Sequence, residues 1–251
     1  MTHALDLAAR LVLLPVLLAQ AVQVRRCALA LPEASGPREG WLGDGPPLNL
    51  LILGDSAAAG VGAGVQDAAL AGQLAAHLAA RYRVHWRLIA RTGATTAETL
   101  ARLGEEPPAR VDVAVSVLGV NDVTRLVPLE VWLARQRRLA DLLAGKFGTR
   151  LICLSGLPPM GHFPLLPQPL RWVLGRQATR FDKHLGRLAA ARADAIHLPL
   201  DFDMEVAHMA ADGYHPGPLI YAGWAGAIAA AIEARLLSDA PSPPPEHGAG
   251  R

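Results

Sequence analysis

Cysteine is scarce in this sequence, and the patterns that cysteine forms in disulfide-rich or zinc-binding proteins are absent. Only Cys27 and Cys153 occur among 251 residues, far apart, and there is no Cys-x-x-Cys or His-Glu-x-x-His pattern. Disulfide frameworks need several cysteines at short spacings, and zinc sites need clustered Cys and His ligands. The sequence therefore predicts neither, and we expect no metal and no other cofactor.

An excess of charge of one sign is also absent. The formal net charge is +2, and the basic residues, nearly all arginine, are spread along the chain. Domains that bind nucleic acid usually concentrate positive charge on one face or along one helix. The sequence therefore predicts no nucleic-acid partner.

The apolar stretch near the N-terminus is too short for an ordinary transmembrane helix. Residues 11–24 form a run of fourteen without a charge, whereas a membrane-spanning helix needs about 20 apolar residues. Arg25 and Arg26 follow it, at a place where a cleaved secretory signal should carry no charge. We expect residues 1–30 to form a packed or membrane-surface helix, with an uncleaved anchor and a cleaved signal as alternatives. A cytoplasmic or membrane-associated location is favoured over secretion.

Short apolar runs alternate with longer helical patterns through most of the chain. Five such runs are each followed by a stretch with helical periodicity, and they lie at 48–54, 84–90, 111–119, 150–156 and 195–200. This alternation is typical of an α/β fold, a parallel sheet covered by helices on both faces. We predict a Pro- and Gly-rich linker at 31–47, a folded domain at 48–237 and a disordered Pro-rich tail at 238–251.

Polar residues and glycines follow four of the five predicted strands. The motifs are "GDS" ending at Ser56, "RTGATT" with Gly93, "GVND" with Asn121, and "DGYHPG" with Asp212 and His215. Each motif alone is also explained as a helix cap or a turn. Because the carboxyl ends of parallel strands meet at one edge of a sheet, where ligands bind, the four motifs together predict a site.

The residue types in these motifs fit acyl transfer. A serine such as Ser56 becomes a nucleophile when a base removes its proton, and His215 is three residues from Asp212, which can orient it. The oxyanion of a tetrahedral intermediate also needs hydrogen-bond donors. The candidates are the backbone N–H groups of Ser56 and Gly93 and the side-chain amide of Asn121.

The order of these motifs resembles that of the SGNH hydrolase superfamily, also called GDSL-type esterases and lipases. Gly-Asp-Ser, Gly, Gly-x-Asn-Asp and Asp-x-x-His follow one another between about residues 48 and 237. The resemblance implies a three-layer α/β/α fold with a five-stranded parallel sheet in flavodoxin-like order. It implies Ser56 as nucleophile, His215 as base, Asp212 as its partner, and Ser56, Gly93 and Asn121 as oxyanion donors.

Motifs for other chemistries do not fit the sequence. The glycines at 60, 62 and 64 lack the spacing of a dinucleotide-binding loop, and there is no Walker A lysine pattern. Asp201 and Asp203 in "DFD" are a possible metal pair, but we interpret them as part of a solvated acidic loop.

The sequence thus predicts a metal-independent serine esterase that forms an acyl-enzyme on Ser56. Its substrate would be a small-molecule or lipid ester, and membrane-surface association through the N-terminal segment would favour a lipid. A lysophospholipase or thioesterase with the same residues is the alternative enzyme. A non-catalytic binding module is the alternative of another class, because a fold does not by itself establish activity.

Overall fold

The computed structural model describes residues 2–200 and 206–238, with side chains for 13–200 and 207–238. Asp201 and Asp203 of the predicted acidic loop lie outside the described residues, as does the predicted tail from residue 239 onward.

A six-stranded sheet forms the centre of the domain. Its strands are β1 (Glu39–Leu42), β2 (Pro47–Gly54), β3 (Arg83–Ala90), β4 (Val113–Val117), β5 (Leu151–Ser155) and β6 (Ala195–Leu198). They lie in the order β1-β3-β2-β4-β5-β6. The strands from β2 to β6 all pair in parallel. Their order places the second parallel strand at one side of the first and the remaining three at the other side, which is the flavodoxin-like order. The predicted five-stranded parallel sheet is confirmed.

The sixth strand corrects the prediction for residues 31–47. We expected a linker there, but β1 pairs antiparallel with β3, from Glu39 opposite Arg87 to Leu42 opposite Val84. The ring of Trp41 stacks on that of His85, with 4.4 Å between the ring centroids. The prediction failed because the strand has only four residues within a Pro- and Gly-rich stretch, too few to show a hydrophobic alternation.

Helices cover both faces of the sheet. They are α1 (Thr2–Cys27), α2 (Leu70–Ala79), α3 (Thr96–Glu105), α4 (Val120–Thr124), α5 (Leu129–Phe147), α6 (Leu170–Ala190) and α7 (Pro218–Ser238). One core cluster packs α2 and α7 against one face of the sheet. The other packs α3, α5 and α6 against the opposite face. The result is the predicted three-layer α/β/α arrangement.

The last helix, α7, is apolar on most of its surface. By length and composition alone it could cross a membrane, and it is the one helix among the described residues that could. In the structure, however, it packs along α2. Ile220, Trp224, Ile228 and Ile232 are buried in the core. A core helix meets the same criteria of length and composition, so this feature is weak evidence for a membrane.

The first helix, α1, packs on the rim of the domain. Leu17 is buried in the core cluster. The Gln20 side chain donates to the Gln168 carbonyl at 2.6 Å and accepts from the Leu170 N–H at 3.1 Å. Leu14 and Leu18, on a neighbouring face of the helix, are exposed. The helix therefore contacts the start of α6 through one face and presents apolar side chains on another.

Candidate active site

Ser56 lies in a single helical turn directly after β2. The turn is closed by hydrogen bonds from the Ala59 N–H to the Asp55 carbonyl and from the Val61 N–H to the Ser56 carbonyl. Glycine is needed at position 54, because a Cβ there would lie 2.4 Å from the Cβ of Ala58 and 2.8 Å from the Val117 carbonyl oxygen. The strand ends at this glycine, and Ser56 lies two residues later at the carboxyl edge of the sheet.

Ser56, His215 and Asp212 form a continuous chain of hydrogen bonds. The Ser56 Oγ lies 2.8 Å from the Nε2 of His215, and the Nδ1 of the same ring lies 2.5 Å from the Asp212 Oδ2. The histidine side chain is 17% exposed and the aspartate side chain 3%. The histidine is thus oriented by a buried carboxylate and remains accessible on the serine side.

The loop that carries this pair is held by its own backbone. The Ala210 N–H donates to the His215 carbonyl at 2.9 Å, and the Gly217 N–H donates to the His208 carbonyl at 3.0 Å. The Tyr214 ring packs edge-on against the His215 ring, with 5.2 Å between the ring centroids. These contacts fix the position and tilt of the imidazole.

Asp212 is stabilised as a carboxylate. Its Oδ1 accepts hydrogen bonds from the backbone N–H groups of Tyr214 and His215, each at 3.0 Å. Burial alone would raise the pKa of Asp212, but the hydrogen bonds from the His215 side chain and from these two backbone amides outweigh it and lower the pKa. The group that contacts the imidazole is therefore ionised at neutral pH.

Two backbone N–H groups at the edge are available as donors. Neither the Ser56 N–H nor the Gly93 N–H makes a hydrogen bond within the described part of the chain. Gly93 has a φ of +78°, which L-residues rarely adopt. A hydrogen bond from the Ala94 N–H to the Arg91 carbonyl at 3.0 Å closes this turn, and glycine as its third residue suits a type II turn.

The third predicted donor, Asn121, is engaged with its neighbours. Its Nδ2 donates to the Asp55 Oδ2 and to the Ala94 carbonyl, each at 3.1 Å. The amide thus ties the serine turn to the Gly93 loop. Burial raises the pKa of Asp55 to about 7, against the hydrogen bond from the Ala57 N–H. Sequence reasoning treated Asp55 as a cap and missed its contact with Asn121.

Asp122, the next residue, points away from the site. Its Oδ2 accepts from the N–H and hydroxyl of Thr96, at 3.0 and 2.8 Å. The Thr96 hydroxyl in turn accepts from the Trp132 indole and the Gln136 amide. This buried network fixes the start of α3, and the two residues of the "ND" pair therefore have different surroundings.

An apolar cavity adjoins Ser56. It is narrow: the centre of a water-sized sphere can occupy about 50 Å³ of it. Its walls include six buried apolar side chains, those of Val117, Leu118, Leu157, Phe163, Ile220 and Trp224. No Lys, Arg or Glu of the described residues lines it. The indole of Trp224 donates to the Ser155 hydroxyl at 3.0 Å, which fixes that ring in place.

The described residues provide neither a reactive cysteine nor a cluster of metal ligands. Cys153 is buried in β5, and burial raises the pKa of its thiol to about 12, so it is not a rival nucleophile. No group of three or more His, Cys, Asp or Glu side chains within the described residues could hold a metal ion.

A sequence model described as the GDSL-like lipase/acylhydrolase family matches residues 52–222. The chain belongs to this family. As a GDSL-family protein it is a hydrolase that acts on esters, as the motifs at Ser56, Gly93, Asn121 and Asp212 led us to expect. No curated protein sequence matches it.

Solved structures of a lipase, an esterase and the protein TesA have a similar fold. The lipase Lip_vut3 from a goat rumen metagenome is 20% identical, with a TM-score of 0.60 over 73% of this chain and 97% of that one. TesA is 22% identical, with a TM-score of 0.58 over 74% and 99%. The esterase EstA from Pseudoalteromonas sp. is 19% identical, with a TM-score of 0.55 over 75% and 98%. At these identities the likeness concerns the fold alone.

Proposed function

We propose that the protein is a serine esterase that hydrolyses carboxylic esters through an acyl-enzyme on Ser56. The observation that carries this proposal is the chain of hydrogen bonds from the Ser56 hydroxyl through His215 to Asp212. A serine hydroxyl is weakly nucleophilic unless a positioned base accepts its proton. Here the base is 2.8 Å away, and a carboxylate supports the imidazolium that forms.

The same groups serve both halves of the reaction. The Ser56 oxygen attacks the ester carbonyl while His215 Nε2 takes its proton, and the tetrahedral intermediate collapses as His215 returns that proton to the leaving alcohol. His215 then takes a proton from a water molecule, and this water attacks the acyl-enzyme. The acid is released, and Ser56 regains its proton from His215. Asp212 stays ionised throughout and stabilises the imidazolium.

The oxyanion would be held by the N–H groups of Ser56 and Gly93, which have no other partner among the described residues. We propose Asn121 as the third donor. Its Nδ2 is committed to Asp55 and Ala94, so it would exchange the Asp55 contact for the oxyanion as negative charge develops there. The two backbone N–H groups need no such exchange, and preorganised donors stabilise the transition state more than the ground state.

The cavity beside Ser56 favours an apolar acyl group. Its buried hydrocarbon walls gain from contact with methylene groups and would desolvate a charged acyl chain without compensation. The acyl part stays attached to Ser56 until water arrives, whereas the alcohol leaves first. The apolar cavity therefore suits the acyl part, and the open edge of the sheet suits the alcohol.

Labelling with a fluorophosphonate tests the proposal. We expect one phosphonyl group per chain, located on Ser56 by peptide mass spectrometry, and no labelling or ester hydrolysis by Ser56→Ala. The EstA structure is of the esterase inhibited by monoethylphosphonate, which makes this class of probe a reasonable choice. The exposed Ser35 offers a matched control, because Ser35→Ala should label like the parent. Equal labelling of Ser56→Ala would refute the assignment.

A lipid ester is the substrate class that α1 favours. Leu14, Leu18 and Val22 are exposed at four-residue spacing on the helix face that does not pack on the domain. Such a face can lie in a membrane interface. We expect Leu14→Gln/Leu18→Gln to lower co-sedimentation with phosphatidylglycerol vesicles while leaving hydrolysis of a soluble ester unchanged.

The alternatives within this chemistry differ in the leaving group. A lysophospholipase would hydrolyse lysophosphatidylcholine faster than a simple ester of the same acyl chain, and a thioesterase would prefer the matching thioester. A non-catalytic binding module would hydrolyse none of them.

A further inference from the structure

The Gly93 loop is held from outside by a residue of the N-terminal segment. Glu33 precedes β1 and lies outside the family-matched region of 52–222. Its Oε1 accepts hydrogen bonds from the Thr92 N–H at 2.7 Å and from the Thr92 hydroxyl at 2.8 Å. Thr92 is the residue directly before Gly93, so the carboxylate contacts the loop that carries a proposed oxyanion donor.

The other carboxylate oxygen of Glu33 is fixed as well. Its Oε2 accepts from the Arg38 guanidinium at 2.5 Å, and the same guanidinium donates to the Ala90 carbonyl at 2.8 Å. Ala90 is the last residue of β3. Glu33 and Arg38 therefore span the loop from the end of the strand to Thr92.

Glu33 fixes one of the two peptides that flank the Thr92–Gly93 peptide. The Arg91–Thr92 peptide is held by Glu33 through the Thr92 N–H. The Gly93–Ala94 peptide is held at the Gly93 carbonyl by Arg125, at 2.8 Å. The Thr92–Gly93 peptide lies between them, and its N–H has no hydrogen-bond partner among the described residues. This central peptide is the one whose orientation distinguishes a type I from a type II turn.

Electrostatics supports an ionised Glu33. Burial would raise the pKa of this carboxyl, but the hydrogen bonds from Thr92 and the charge of Arg38 lower it below its usual value. A charged acceptor makes a stronger hydrogen bond than a neutral one. Glu33 is therefore a firm anchor at neutral pH.

We propose that Glu33 is a positioning residue of the ester hydrolase, which holds the Gly93 N–H in the direction that the oxyanion requires. This inference rests on the proposed function. Glu33 belongs to the segment 31–47, for which the sequence predicted only a linker, and the proposal gives this segment a role in turnover.

The test compares Glu33→Ala and Glu33→Gln with Glu39→Ala, a control on an exposed acidic residue of β1. We expect Glu33→Ala to lower kcat roughly 10- to 100-fold, less than the 10²–10³ typical for complete loss of a donor. KM should stay within about twofold, because the donor acts mainly in the transition state. Glu33→Gln keeps an acceptor for Thr92 and should fall between Ala and the parent, and Glu39→Ala should match the parent.

Two further measurements separate positioning from a general loss of structure. Affinity for a boronic acid, which forms a tetrahedral adduct with a serine, should fall in Glu33→Ala by about the same factor as kcat. The effects of Glu33→Ala and Thr92→Val should be less than additive in the double variant, because both act through one contact. A general loss of structure would instead lower the melting temperature and the fraction of protein that phosphonate labels.

Folded Glu33→Ala with the parent's kcat and boronate affinity would overturn the inference. If the Ala variant does not fold, the same criterion applies to Glu33→Gln. The proposed function is separable from it. A parent that is neither labelled at Ser56 nor active refutes the function, whereas a labelled, active parent with an unaffected Glu33 variant refutes only the role of Glu33.

Discussion

Asn121 and Asp122 are neighbours in the chain but face different surroundings. The amide of Asn121 lies between the serine turn and the Gly93 loop, and the carboxylate of Asp122 is fully buried against Thr96. An amide can donate to a developing oxyanion, whereas an ionised carboxylate would repel it. Substitutions at the two positions should therefore affect different measurements.

We predict that Asn121→Ala lowers kcat by roughly 10²–10³ with KM nearly unchanged, and that Asn121→Asp is at least as damaging. Asp122→Ala should leave the Thr96 N–H and hydroxyl without their acceptor, at a cost of about 1–3 kcal/mol. That cost should lower the melting temperature by about 2–4 °C per kcal/mol. Steady-state kinetics and thermal melts of the three variants check this. Asn121→Ala within about threefold of the parent in kcat would remove Asn121 from the oxyanion hole.

Asp55 should make stability depend on pH. Burial raises its pKa in the folded protein from 3.8 to about 7. Between these values the folded state binds a proton that the unfolded state has lost, so the free energy of unfolding falls as pH rises from about 4 to about 7 and is level above that.

We predict that the free energy of unfolding of Asp55→Asn does not fall in this way, because asparagine cannot ionise. Its stability relative to the parent should grow by roughly 4 kcal/mol at most between pH 4 and pH 7, because each pH unit corresponds to about 1.4 kcal/mol. Urea unfolding of both proteins at pH 5 and pH 8 measures the difference. Parallel pH curves for the two proteins would contradict the raised pKa.

At the scale of elements, the N-terminal region divides into two parts with different roles. The helix α1 contacts the domain through Leu17 and Gln20 at the start of α6. The segment from Glu33 to Leu42 instead pairs with β3 and holds the Gly93 loop. The first part covers a rim of the core, and the second completes the sheet and the site.

Two truncations should separate these parts. A chain without residues 1–28 should fold and retain a kcat close to that of the parent, because Glu33 and β1 remain. A chain without residues 1–46 should lose roughly tenfold or more in kcat through the freed Gly93 loop. It should also aggregate more readily, because the edge of β3 is exposed. Kinetics and light scattering of both chains decide this. Equal kcat and solubility would show that residues 29–46 are a spacer.

At the scale of the whole molecule, the cavity beside Ser56 is assembled from distant parts of the chain. Val117 comes from β4, Leu157 from the loop after β5, and Trp224 from α7. Because Trp224 is held by Ser155, we expect its ring to limit the length of the acyl chain.

We predict that kcat/KM rises by about fourfold per methylene along a series of p-nitrophenyl esters, since each buried methylene contributes about 0.8 kcal/mol, until the chain reaches Trp224. In Trp224→Leu the maximum should move to longer chains. Trp172→Leu is the matched control, since that tryptophan is exposed on α6. The same chain-length profile in all three proteins would exclude the cavity as the acyl site.

Local patterns in the sequence were enough to predict the sheet and the motif loops. The strand at Pro47–Gly54 is apolar except for Asn49, and helices such as Leu129–Phe147 have apolar periodicity, so each element is specified by its own residues. The alternation of strands and helices along the chain implies a parallel sheet. In such a sheet the loops after the strands meet at one edge. Ser56 and His215 could therefore be paired across 159 positions without a structure.

The contacts that refine the site depend on tertiary structure alone. Glu33 lies in a Pro- and Gly-rich stretch and becomes informative only when β1 pairs with β3 and brings it to Thr92. Asp55 is an ordinary cap in sequence, and its raised pKa arises from burial that the folded core creates. A carboxylate's partner and its dielectric surroundings are set by residues far away in the chain, and no local pattern encodes them. The sequence thus determined the fold and the residues of the candidate site, whereas the packing of distant segments decided how those side chains are held.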